Sequence, residues 1–149
     1  MEKIELPNEV LLGEVTELLK EGKNVILMTK GNSMLPFIIG DRDSVELTSP
    51  DVVKENDIVL ALLKNGMYVL HRVQRIDGDE ITLMGDGNLR GTEHCRRNDI
   101  CGLVRTIIKE DGRKVDCSDA SLRRRVLLWH RLLPVRRYLL YIYRKLKHL

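Results

Sequence analysis

A serine that attacks a carbonyl must sit on a constrained, exposed turn. It needs a base within hydrogen-bond reach and backbone N–H groups aimed at the oxygen that becomes negative. The segment Gly31-Asn32-Ser33-Met34-Leu35-Pro36, followed by Gly40-Asp41, has the residue types for this. Gly31 lets the backbone approach a substrate closely. Pro36 restricts Leu35 to extended conformations and stiffens the segment. The same residue types are the commonest in turns, so the segment alone also describes an ordinary turn.

A base for Ser33 is offered by Val69-Leu70-His71-Arg72-Val73. On a strand, alternate residues share a face, so Val69, His71 and Val73 are expected to point inward together and Arg72 outward. Partial burial suits a neutral imidazole that accepts a serine proton; a satisfied core histidine has the same pattern. An acid that orients the base is offered by Met84-Gly85-Asp86-Gly87-Asn88. There Asp86 could hold His71 in one tautomer, or simply bond to its own turn.

These segments need a scaffold of short strands. Asn24–Thr29, Ser44–Leu47, Asp57–Leu63, Met67–Ile76, Glu80–Met84, Ile100–Ile108 and Lys114-Val115 all read as strands. Asn65-Gly66 marks a two-residue hairpin, and Asp77-Gly78 and Asp111-Gly112 mark further turns. Before them, Val10, Leu11, Val15, Leu18 and Leu19 recur at helical spacing, with Asn8 as a cap and Gly22 as a stop. After them, Leu122, Val126, Trp129 and Leu133 do the same until Pro134 breaks the helix. Val135, Tyr138, Leu139, Ile142, Leu146 and Leu149 then share a face opposite Arg136, Arg137, Arg144 and Lys147. The expected organisation is an amphipathic helix over 1–23, a mainly β domain of curled sheets over 24–117, and a basic amphipathic helical tail over 118–149.

The chain of 149 residues suits one domain with its own core. Aromatic residues make up only 4%, so Val, Ile and Leu must fill that core. All 22 acidic residues and 16 of the 25 Lys and Arg lie in 1–120; the other nine bases lie in 121–149 with no acid. The acidic body argues against nucleic-acid binding by the domain as a whole. The tail reads as a separate interaction unit. The odd count of three cysteines, with no C-x-x-C, argues against a disulfide framework. His94-Cys95 with Cys101 matches no standard zinc spacing, so no metal is expected. No signal peptide and no spanning helix are expected, which implies a cytoplasmic protein or one peripheral to a membrane surface.

Taken together and in order, the segments resemble the signal peptidase and LexA-like serine proteases. Ser33-Met34-Leu35-Pro36 with Gly40-Asp41 is similar to that family's Ser-Met-x-Pro box and trailing Gly-Asp. Asn56-Asp57-Ile58-Val59 resembles its Gly-Asp-Ile-Val strand start, with Asn56 in place of glycine. His71-Arg72-Val73 resembles the box that bears the base, which is lysine in most bacterial members. Histidine there is typical of the archaeal and endoplasmic-reticulum signal peptidases. Gly85-Asp86-Gly87-Asn88 is similar to their Gly-Asp-Asn-Asn box, and Ile100–Val104 to the closing strand. The resemblance covers roughly residues 24–108.

The resemblance implies a serine endopeptidase that cuts polypeptide signal or leader segments after small residues, without metal or cofactor. Ser33 would be the nucleophile and His71 the general base. Asp86 or Glu93 would supply the acid, or the site would work as a dyad. Asn32, Ser33, Met34 and Pro36 would form the oxyanion and substrate-binding loop. Two departures stand out: the second acid of the family falls at Thr92, beside Glu93, and a hydroxyl of many relatives is Gly31 here. Relatives that process secreted proteins carry a spanning helix before the serine; here 32 charged, amphipathic residues precede Ser33. The tail, residues 121–149, could replace that anchor by lying on an anionic membrane surface, or it could pack on the protein's own β domain or on a second subunit, or bind nucleic acid or another partner. The rival readings are a non-catalytic peptide-binding module of the same fold and a LexA-like self-cleaving protein.

Overall fold

A computed structural model describes residues 3–5 and 9–149, with side-chain surroundings from residue 11 onward. The cap expected at Asn8 lies outside the described residues. The first elements are strand β1 (Lys3–Glu5) and helix α1 (Glu9–Lys20). The strands β2 (Val25–Met28), β3 (Ser44–Thr48), β4 (Ile58–Leu62), β5 (Tyr68–Asp77), β6 (Glu80–Met84), β7 (Glu93–Arg96), β8 (Ile100–Ile108) and β9 (Lys114–Asp116) follow. Helices α2 (Ala120–Arg131) and α3 (Arg136–Lys147) end the chain, with Pro134 in the 3-10 turn between them.

The described strands form one curled sheet in the order β1-β2-β3-β8-β4-β5-β6-β7, with β9 on β8. β1 runs parallel to β2, and all other pairs are antiparallel. Register shifts at Glu46/Leu47, Leu60/Ala61 and Val73/Arg75 add local twist and bend the sheet. The domain is therefore mainly β, as the spacing of strands and turns implies.

Central β4 is buried on both faces, so its sequence Ile-Val-Leu-Ala-Leu is continuously apolar. Leu60 packs with Leu12, Val15 and Leu19 of α1 and with Leu27, Leu47 and Ile107. Val59 and Ala61 pack on the other side with Val73, Ile81, Leu83 and Cys95. A Cβ at Gly102 would lie 2.8 Å from Leu19 Cδ1, so glycine there lets α1 sit close to β8.

Two local expectations are corrected. The hairpin after β4 is a three-residue loop: Leu63 N–H donates to Met67 O, and Gly66 adopts φ +85°. That is the turn-plus-bulge alternative to the two-residue form. Arg72 is not directed into solvent; it is 6% exposed, because the tail and Phe37 cover that face of β5.

The tail packs against the body through Leu122, Val126 and Trp129 of α2 and Arg136 and Leu140 of α3. Trp129 and Leu140 share a small core with Leu35 and Ile39, directly behind the Ser33 segment. Asp119 caps α2 by accepting from Leu122 N–H at 3.0 Å.

Candidate active site

The Ser33 segment is a run of turns held from three sides. Gly31 has φ +74°, a conformation open to glycine and costly for a residue with a Cβ. Gly40 packs against it so closely that a Cβ there would lie 1.8 Å from Gly31 O. Beyond the turn, Asp43 closes the segment: its carboxylate accepts from Ile39 N–H at 2.8 Å and from Lys109 Nζ at 2.6 Å. Behind it, Tyr143 Oη donates to Pro36 O at 3.2 Å.

The third support is the Gly85–Asn88 turn. Gly87 N–H donates to Ser33 O at 2.8 Å, and Asp86 N–H points at Met34 Sδ at 3.5 Å. A Cβ on Gly85 would lie 2.4 Å from Ser33 O, and one on Gly87 2.4 Å from Asn32 O. Both glycines are required by this backbone-to-backbone contact. Gly87→Ala should therefore cost about 1–3 kcal/mol, the usual penalty of overpacking. Urea unfolding at neutral pH measures it, and an unchanged midpoint would show that the turn yields freely.

Asp86 itself faces away from His71. Arg72 Nε donates to its Oδ1 at 2.8 Å and Arg72 Nη2 to its Oδ2 at 2.7 Å, while His130 Nε2 lies 3.7 Å away. Burial pushes the Asp86 carboxyl up, but Arg72 and His130 outweigh it, and its pKa lies below the ordinary value. The tail locks the same turn: Trp129 Nε1 donates to Asp86 O at 2.8 Å and Arg136 Nη1 to Asn88 O at 2.9 Å.

Of the two candidate acids, the structure brings Glu93 to His71. Glu93 heads β7 opposite Leu83 of β6, and its Oε1 is hydrogen-bonded to His71 Nδ1. His71 stands on β5 opposite Val59 and is 8% exposed. A carboxylate on Nδ1 fixes the tautomer and leaves Nε2 free to accept a proton.

Ser33 and His71 line one cleft of about 340 Å³. Met34, Ile38, Leu60 and Leu70 give it an apolar floor, and Lys30, Gly31, Met67 and Tyr68 also border it. Asn32 and Pro36 do not border it, so of the expected binding loop only Ser33 and Met34 do. Among the described residues, the N–H groups of Asn32 and Ser33 have no hydrogen-bond partner, and Ser33 Oγ makes no bond to His71. Pairing of β5 with β6 begins at Arg72, so among the described residues Tyr68–His71 bond to β4 on one edge and leave the other unpaired beside the cleft.

Asn56, at the glycine position of the resemblance, has φ +76°. Asn is among the few residues besides glycine that tolerate this region. His94 is exposed, with Nδ1 3.3 Å from Thr82 Oγ1, while Cys95 is buried in the core, so the two point to opposite faces of β7. Burial pushes the Cys95 thiol up to about 11. Arg72, Asp43 and Arg136, which help to hold the site in place, carry no sequence signal for that role, and the helical spacing that includes Trp129 does not say what its ring packs against.

Residues 2–105 match the family described as Peptidase S24-like. None of the curated proteins compared with the chain matches it.

Proposed function

The chain belongs to the Peptidase S24-like family, and on that premise we propose that it is a serine endopeptidase acting on extended polypeptides. The observation that supports this best is the pairing of Ser33 and a Glu93-bonded His71 in one cleft beside an unpaired strand edge. An extended peptide adds to such an edge through main-chain hydrogen bonds and drops alternate side chains into the apolar floor. Ser33 Oγ attacks the carbonyl while His71 Nε2 takes its proton and returns it to the leaving amine. Glu93 keeps the imidazole oriented and stabilises its charged form. The free N–H groups of Asn32 and Ser33 are positioned on the nucleophile's own turn to receive the oxyanion. No step in this scheme calls for a metal or cofactor. Signal or leader segments suit this reading as substrates, with the Ser-His signal peptidases as a chemical parallel to Ser33, His71 and Glu93.

The missing Ser33–His71 hydrogen bond favours a second reading, a non-catalytic peptide-binding module; unliganded sites commonly tighten only around substrate. Incubation with a panel of extended peptides carrying Ala-x-Ala-like sites, read by mass spectrometry, separates the two. We expect cleavage at one consistent site and labelling of Ser33 by a fluorophosphonate. Binding of peptides without cleavage or labelling would establish the module instead. Loss of intact mass in the protein alone would reveal self-cleavage.

A further inference from the structure

The basic tail has two unlike sides. Arg136, Leu140 and Tyr143 face the body, and the carbonyl of Lys147 accepts from Arg42 Nη2 at 3.1 Å. The apolar face is the one turned away from the protein. Tyr138 and Tyr141 are each 63% exposed, Ile142 54% and Leu146 72%. Val135 and Leu139 extend the same strip, and Leu149, past the end of the helix, is exposed as well. Arg137 and Arg144 flank it and Lys145 stands on it, with Nζ 5.5 Å from the Tyr141 ring; all three are exposed, and no acidic residue occurs in 121–149.

We infer that this outward face of α3 docks on an anionic lipid surface. A helix whose apolar strip is bordered by cations and interfacial tyrosines lies in the plane of a bilayer, with the strip among the acyl chains and the cations at the headgroups. Each cation near the surface strengthens binding roughly five-fold at low salt. Two copies of the face cannot cover each other without bringing two acid-free, basic tails together, which opposes self-association. Nucleic acid would use the cations but has no use for the apolar strip. No helix among the described residues is long and apolar enough to cross a membrane, so the tail lies on the surface. Because Tyr143 touches Pro36 from the inner side of α3, the lipid stands about one helix diameter, ~10 Å, beyond the Ser33 segment.

The test is co-sedimentation of the full chain with vesicles, with no cleavage measured. Mixed phosphatidylglycerol–phosphatidylcholine vesicles are compared with pure phosphatidylcholine, for wild type and for Ile142→Asp/Leu146→Asp. Both replaced side chains are exposed, so circular dichroism should show an unchanged fold. Wild type should bind the anionic vesicles at least about ten-fold better than the neutral ones, and added salt should weaken it. The double variant should lose about ten-fold or more. Wild type that ignores anionic vesicles would overturn the inference. So would a double variant that binds like wild type, or a wild-type dimer that the double variant breaks. Duplex DNA that displaces the vesicles equally from both proteins would assign the cations to nucleic acid instead.

Discussion

Replacing Ser33 with Ala is expected to lower kcat for peptide cleavage by about a million-fold, and Glu93→Gln by about 10⁴-fold. The two losses have different origins. Ser33→Ala removes the attacking oxygen and leaves only what the cleft and the backbone N–H groups contribute. Glu93→Gln keeps the shape of the acid but can present its NH2 to His71 Nδ1. That arrangement makes Nδ1 an acceptor and places the ring proton on Nε2, where the serine proton must go. KM should change little in either variant, because neither side chain supplies the peptide-binding edge at Tyr68–His71. Peptide kinetics with a mass-spectrometric readout, on variants whose circular dichroism matches wild type, check this. A Glu93→Gln enzyme within a few-fold of wild type, beside a dead Ser33→Ala, would mean a Ser-His dyad in which Glu93 merely fills space. Equal activity in all three proteins would remove Ser33 from the chemistry.

The mainly β fold was legible because its strands carry local signals. β4 is an unbroken apolar run, and the turns before and after β5 contain Gly66 and Gly78 at positive φ. Strand β7 had no such signal. Its sequence Glu-His-Cys-Arg buries only Cys95, so it forms because β6 offers an edge, and it is this strand that presents Glu93 to His71. For the same reason sequence order alone could not decide between Asp86 and Glu93: the choice depends on which residue of a neighbouring strand falls beside His71. Arg72 shows the limit of alternation arguments. A period of two says which residues share a face of β5, but not that the tail returns to cover the face that carries Arg72. The tail repeats the lesson. Periodicity marks an apolar side of α3, yet Trp129 and Leu140 pack on Leu35 and Ile39, and those contacts turn that side outward.

Asp86→Asn is expected to lower unfolding stability by about 3–5 kcal/mol, more than most single changes to this chain. The side chain of Asp86 is 1% exposed and that of Arg72 8%, so the substitution leaves a guanidinium buried without its counter-charge. Arg72 keeps Asn56 O, at 2.6 Å, the ring of Phe37, 5.4 Å from its centre, and one neutral amide oxygen at position 86, while the second carboxylate oxygen becomes an NH2 that faces the guanidinium. Adding Arg72→Met should return part of the loss, since an apolar pair tolerates the site better than a half-broken ionic one. The pH dependence follows from the depressed Asp86 pKa, whose opposing causes are burial, which raises it, and Arg72 with His130, which lower it further. A depressed folded value means that the unfolded chain takes up the proton first as pH falls. The contribution is complete above the ordinary carboxylate pKa, about 4. It declines as pH falls below that towards the folded value, so wild type and Asp86→Asn should converge in acid. Urea unfolding of both proteins from neutral pH downward measures the convergence. A gap that stays constant with pH would mean that shape, not charge, holds the turn. Because Gly87 N–H of this turn bonds Ser33 O, the folded fraction of Asp86→Asn should also lose kcat. Glu93→Gln acts on the imidazole alone, so it should lose kcat with stability intact, and this contrast separates a residue that orients His71 from one that holds the serine turn in place.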